Sequence, residues 1–124
     1  VGHTGVFDAT TEAMEALDEC MARLLSVIDE LGGVLVYTAD HGNADVMFTE
    51  AADGTRTPVT SHTLNPVPFV LHDASGGNHW RLEPPPAAGL SNVAATILNL
   101  LGFEAPADYE PSLVQVTLPR STLR

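Results

Sequence analysis

Residues 34–47 read VLVYTADHGNADVM. Val34 to Thr38 is an unbroken run of apolar and β-branched residues. That is the pattern of a strand buried on both faces, as in parallel sheets covered by helices. The run leads into Asp40-His41-Gly42, which sets a carboxylate and an imidazole beside the least restricted residue. In open α/β sheets, ligands bind beyond the carboxyl ends of the strands. Asp40 and His41 therefore stand where a ligand is expected. Side chains alternate along a strand, so the pair is expected to diverge and to serve two metals, or one metal and a water. Gly42 is expected to let the backbone turn sharply and to keep bulk away.

Upstream, residues 10–31 predict one amphipathic helix. Met14, Leu17, Met21, Leu24, Ile28 and Leu31 recur at spacings of three and four and mark its inward face. Asp8 or Thr10 suits its N-cap, Glu12 and Glu15 suit its positive end, and Gly32-Gly33 predicts a left-handed stop. Downstream, residues 49–61 are polar and predict a loop or loose hairpin. Residues 68–72 predict a second buried strand, and residues 79–82 a short edge strand. Residues 83–89 (EPPPAAG) form a turn-rich connector that cannot join a regular sheet. Ser91 is expected to cap a second helix over residues 92–101, with Val93, Ile97, Leu98 and Leu101 inward and Gly102 ending it. The stretch from Ala105 to Arg124 is proline-dotted and weakly patterned.

This order predicts an α/β layered fold, with a mostly parallel sheet flanked by helices. Two buried strands are too few to stand alone, so further strands are expected from sequence outside these residues or from a partner. The opening VGHTGVF has no initiating Met and is read as that of a fragment or trimmed chain.

Composition narrows the function. The 124 residues suffice for one modest domain, and 44% hydrophobic content is too high for a disordered chain. No apolar run is long enough to cross a bilayer, and no secretory signal is visible. Net charge is −11, with no Lys. That argues against a nucleic-acid surface and against an anionic membrane. An anionic substrate would need positive charge from metal ions or from elsewhere in the protein. Cys20 is alone, so no disulfide framework exists. It falls within the helical pattern, where a packed thiol is expected, and a reducing, cytoplasmic setting fits.

His3, His41 and His62 lie in loops beside small or polar residues, while His72 and His79 are expected to be ordinary strand-end and surface or stacking residues. A mixed His/Asp set without a useful thiol suits a catalytic Zn or Mn site better than a structural one. Spacing alone leaves two readings open: a metal site built from the three loop histidines and Asp40, or unconnected surface and capping residues. It also leaves open how far His62 lies from the strand edge. No GxSxG elbow or Walker A loop occurs. Ser61 and His62 are adjacent, a placement that rarely lets a nucleophile face its base.

Taken in order, VGHTG (1–5), TADHGNADVM (38–47) and TSHTLNPVPF (60–69) resemble the metal-binding signatures of the cofactor-independent (2,3-bisphosphoglycerate-independent) phosphoglycerate mutases, members of the alkaline-phosphatase-like metalloenzyme superfamily. ADHGN alone would indicate only the superfamily. The likeness continues through GLSNVAATILNLLGFEAP (89–106) to PSLV (111–114), with Asn92 for the usual Asp and Ala95 for the usual Pro.

The resemblance implies the C-terminal part of a metal-binding phosphatase-like domain over residues 1–113, with a tail over 114–124. It implies an alkaline-phosphatase-like three-layer fold and two divalent ions, commonly Mn2+, with Zn2+, Co2+ or Mg2+ as alternatives. Asp40 and His41 would hold one ion, His3 and His62 the other. Gly42, Asn43 and Ser61 are candidates for supporting them. The remaining ligands, the nucleophilic Ser and the domain that grips phosphoglycerate would lie in a missing N-terminal part. The implied reaction converts 3-phosphoglycerate to 2-phosphoglycerate through a phosphoserine in glycolysis and gluconeogenesis, and the chain alone is expected to be inactive. Two alternatives stand beside it. One is a phosphatase or another phosphomutase of the same superfamily, and the other a non-catalytic metal-binding or interaction module.

Overall fold

The structure, a computed structural model, describes residues 1–77 and 79–117. It is a mixed α/β chain whose contacts divide into two units. One comprises Val1–Leu31 and Leu35–Val70, and the other Gly32–Val34 with the residues from Leu71 onward.

In the first unit, a 3-10 turn (Gly2–Thr4) runs into Gly5, which sits in the left-handed region at φ 68°. Helix α1 then spans Phe7–Leu31. It starts three residues earlier than the apolar period suggests. Neither Asp8 nor Thr10 caps it, because both already lie inside the helix. Asp8 instead places its charge in the first turn, where the helix dipole favours it. The Thr10 hydroxyl donates to the Val6 carbonyl at 3.1 Å. Gly32, at φ 63°, stops the helix as expected.

The apolar stripe of α1 is less covered than its period predicts. Among the described residues Met14, Leu17, Leu24 and Leu31 are exposed, Leu31 to 75%, and Met21 and Ile28 are half-buried. Cys20 is exposed rather than packed. Periodicity identifies the apolar side of a helix but not what covers it.

Strand β1 (Val34–Thr38) falls where the sequence places it, but it is half-buried throughout rather than enclosed. It pairs with β4 (Phe69–Asp73). The Ala74 N–H donates to the Gly33 carbonyl at 2.9 Å, which sets the start of β1 beside the end of β4. That sense is antiparallel. The expected parallel sheet is therefore not seen among the described residues, which form three separate two-stranded sheets. A pair of strands covers little surface, which accounts for the half-burial of β1.

The polar stretch 49–61 does form a hairpin. Strands β2 (Phe48–Glu50) and β3 (Arg56–Pro58) are antiparallel, with Phe48 opposite Pro58 and Glu50 opposite Arg56. Its turn is closed by the Thr55 N–H on the Asp53 carboxylate at 2.9 Å, the main cause holding that carboxyl below its usual range.

In the second unit, a 3-10 turn (Leu90–Asn92) leads into α2 (Val93–Leu100). Asn92, not Ser91, occupies the N-cap position, but its side chain makes no bond to the helix: its Oδ1 accepts the Gly89 N–H at 2.7 Å, and its amide donates to the Pro111 carbonyl at 2.7 Å. The buried face is Asn92, Ala95 and Thr96, while Ile97 and Leu101 are exposed, contrary to expectation. Against this face lie Leu113 and Val114, both buried. Val114–Val116 forms β6, antiparallel to β5 (Trp80–Leu82). The stretch expected as a tail therefore begins with a strand, and residues 118–124 lie outside the described part. Among the described residues, no helix is long and apolar enough to cross a membrane.

Candidate functional site

Two loops of the first unit meet just past the carboxyl end of β1. The Thr63 N–H donates to the Gly42 carbonyl at 2.8 Å, an isolated antiparallel bridge. The Asn43 amide donates to the Ser61 carbonyl at 3.2 Å. The Val59 N–H donates to the Met47 carbonyl at 2.9 Å, carrying the hairpin's pairing toward the loops. These bonds answer the question left open for His62. It is brought to the β1 edge, and its ring stacks on that of His41 with centroids 3.5 Å apart and planes 16° apart.

His3 reaches the same loop from the N-terminal 3-10 turn. Its Nδ1 lies 2.7 Å from the Thr60 carbonyl. A carbonyl only accepts, so Nδ1 carries a proton, and in the neutral tautomer that this bond selects the lone pair is on Nε2. That Nε2 faces the Nε2 of His62 at 3.3 Å. The glycines around His3 keep this approach open. A Cβ on Gly2 would run into the Asn43 amide oxygen, and one on Gly5 would meet Pro58 Cβ at 2.9 Å.

The second pair behaves differently from expectation. Asp40 and His41 do not diverge: Asp40 Oδ1 lies 3.6 Å from His41 Nε2. The two residues sit in a bend beyond β1, where strand alternation no longer applies. His41 Nδ1 is 3.1 Å from the Gly42 carbonyl, so Nδ1 carries a proton. Asp40 is well exposed, its side chain 88% accessible.

Gly42 is required by proximity rather than by a left-handed turn, since its φ is not positive. A Cβ there would collide with the Thr63 hydroxyl and come within 2.7 Å of an Asp45 carboxylate oxygen. Asp45 is the residue that the sequence reading misses. The Thr63 hydroxyl lies 3.1 and 2.9 Å from its two oxygens, and the Asn65 amide donates to Oδ2 at 2.5 Å. The Asn65 bond is the main cause that holds its carboxyl below the usual range; burial opposes it, and the Thr63 bond adds a smaller lowering. The only signal in the sequence is an acid four residues past His41 and two polar residues after His62.

His72 and His79 lie apart in the chain, at the end of β4 and before β5. The described residues thus bring together His3 with His62, His41 with His62, and Asp40 with His41. No group of three or more His, Cys, Asp or Glu able to hold a metal gathers among them. The metal-capable donors come in twos: nitrogen with nitrogen, and nitrogen with carboxylate.

The chain is 46% identical to the 2,3-bisphosphoglycerate-independent phosphoglycerate mutase of Trypanosoma brucei brucei, over 94% of its own length and 23% of that protein's. It is also 46% identical to a probable enzyme of that name from Leptospira interrogans, covering 93% of this chain and 22% of that one. Among solved structures it is similar to Leishmania mexicana phosphoglycerate mutase, determined at low cobalt concentration. The TM-score is 0.84 at 47% identity, over 94% of this chain and 23% of that one. The chain therefore spans a little under a quarter of the length of these relatives. The sequence pattern of the metalloenzyme superfamily matches residues 1–105, and the chain belongs to that superfamily.

Proposed function

We propose that these residues supply part of a two-cation centre in a phosphoglycerate mutase. In this reading His3 and His62 hold one divalent ion, Asp40 and His41 hold the other, and the intact protein interconverts 3- and 2-phosphoglycerate. The observation that carries it is the 3.3 Å separation of His3 and His62 Nε2, with the His3 proton pinned on Nδ1 by Thr60. Two imidazole nitrogens bound at about 2.0–2.1 Å to one ion at a near-tetrahedral angle lie roughly 3.3–3.4 Å apart. The donor set therefore fits. The carbonyl bond on the far nitrogen of His3 is also the support that metal-bound histidines usually have.

Bound divalent ions would lower the pKa of an attacking hydroxyl and neutralise charge on the transferring phosphoryl oxygens. This chain's part is to hold the ligands still. The Gly42–Thr63 bridge fixes the two loops, and Thr60 orients His3. With two ligands per ion, these residues alone bind metal weakly and turn nothing over. The other ligands, the phosphoryl-accepting Ser, the substrate-gripping groups and the parallel strands of a three-layer fold are supplied by sequence outside these 124 residues. The positive ions also reconcile a strongly acidic chain with an anionic substrate. The activity for which the relatives are named, and the cobalt present when the Leishmania structure was determined, support the same activity and a divalent metal.

The test is turnover by the intact protein with 3-phosphoglycerate and Mn2+. The reading expects 2-phosphoglycerate as product, abolished by a chelator and restored by metal. Release of inorganic phosphate without 2-phosphoglycerate would contradict it and favour a phosphatase.

A further inference from the structure

We propose that Asp45 is the positioning residue that sets the stacked geometry of His41 and His62. The inference rests on the metal reading above for its consequence, but not for its geometry. Asp45 touches neither histidine through a hydrogen bond. It acts on the residues next to them. Its two oxygens receive the Thr63 hydroxyl, 3.1 and 2.9 Å away, and Oδ2 also receives the Asn65 amide at 2.5 Å. Thr63 follows His62 directly, and its N–H holds the Gly42 carbonyl at 2.8 Å, directly after His41. Asp45 thus clamps one loop onto the other, with the bridge between the two histidines as the fulcrum.

The chemistry of the side chain matters as much as its place. Both partners donate here, and a carboxylate accepts both at once. Asparagine at 45 would keep one acceptor oxygen and would have to reverse the Thr63 bond, with the hydroxyl accepting from the new N–H2 group. Leu64 stands between the two donors in sequence and is fully exposed, while Thr63 is half-buried and Asn65 reaches Asp45 from the surface. Gly42 is part of the same device, because a Cβ there would strike both the Thr63 hydroxyl and the Asp45 carboxylate. A loop clamp of this kind works through polar bonds at the surface. It can relax without unfolding the unit, and relaxation would separate two rings that sit 3.5 Å apart.

Two readouts on the intact protein test this separately. The first is NMR of the metal-free protein. Stacked imidazoles shift each other's ring protons, so Asp45→Ala should move the His41 and His62 ε1-proton signals toward those of unstacked histidines while His72 and His79 stay in place. Unchanged signals would overturn the proposal whatever the metal does. The second is Mn2+ affinity by electron paramagnetic resonance. Loss of an outer support typically costs 10–100-fold in affinity, and Asp45→Ala should weaken binding by about tenfold. The exchange Asp45→Asn with Asn65→Asp re-creates an acceptor facing a donor, and should restore both readouts relative to Asp45→Asn alone. Failure of the exchange to rescue would count against a specific clamp. If Asp45→Ala does not fold, Thr63→Val removes one bond only and should give the same two shifts at smaller size. His62→Ala separates the two ideas. Unchanged Mn2+ binding by His62→Ala, with shifted ring signals in Asp45→Ala, would sink the metal reading and leave the clamp standing.

Discussion

The two units hold their functional and structural cores by opposite means. In the second, a buried knot joins α2 to the stretch before β6. Thr96, fully enclosed, donates its hydroxyl to the Asn92 carbonyl at 2.8 Å and accepts the Leu113 N–H at 2.9 Å. In the first, the histidine loops are tied by bonds of similar length, but nearly all are exposed to water. A buried bond is costly to break because the orphaned partner has no water to turn to, whereas an exposed one is replaced by solvent. The knot therefore carries stability, and the loops carry geometry that can be lost without unfolding.

That contrast can be broken first at Thr96. Thr96→Val keeps the shape but leaves the buried Leu113 N–H without its acceptor, and should cost about 1–3 kcal/mol in urea unfolding of the second unit. Mn2+ affinity should not change, and a parallel loss of affinity would mean that the two regions are not independent. Gly42→Ala should give the converse. The methyl group has no room against Thr63 and Asp45, so metal affinity falls severalfold while the unfolding midpoint moves less than in Thr96→Val.

Acid sharpens the picture further. A carboxyl held below its ordinary value stabilises the fold above that value and stops doing so as pH falls through its lowered one. Asp45 is depressed below 3.8, chiefly by Asn65. The stability difference between the wild type and Asp45→Asn should be at its full size above pH 3.8 and close below it. A difference that persists unchanged into stronger acid would show that the charge is not what matters. The smallest effect belongs to the hairpin. Arg56 pairs with Glu50 at 2.8 Å and lies over the Phe48 ring at 4.3 Å, all at the surface. Arg56→Ala should cost no more than about 1 kcal/mol in thermal unfolding.

What could be read from the sequence follows the same division. Local patterns were legible: the α1 period, the apolar run of β1, the turn residues of the hairpin and the Gly32 stop. The set His3, Asp40, His41 and His62 was implied by the resemblance of the three motifs and not by their spacing, which left the place of His62 open; the structure brings His62 to His3 and His41. Long-range pairing was not legible. Val114–Val116 is three residues with no period of its own, and its partner β5 lies more than thirty residues earlier. Asp45 works across 18 and 20 residues to reach Thr63 and Asn65. Alternation failed at Asp40-His41 because the strand had already ended. On α2, Ile97 and Leu101 are exposed although hydrophobicity points them inward, because the contact is decided by Asn92 and Thr96, whose polar groups are satisfied on the segment at 111–113.

The central claim is that the paired donors serve two ions. Its most direct test is the metal content of the intact protein reconstituted with Co2+ or Mn2+, compared with His3→Ala/His62→Ala and with Asp40→Ala/His41→Ala. Two ions per chain in the wild type, with one lost in each double variant, is the predicted result. Unchanged stoichiometry in both variants would contradict the account.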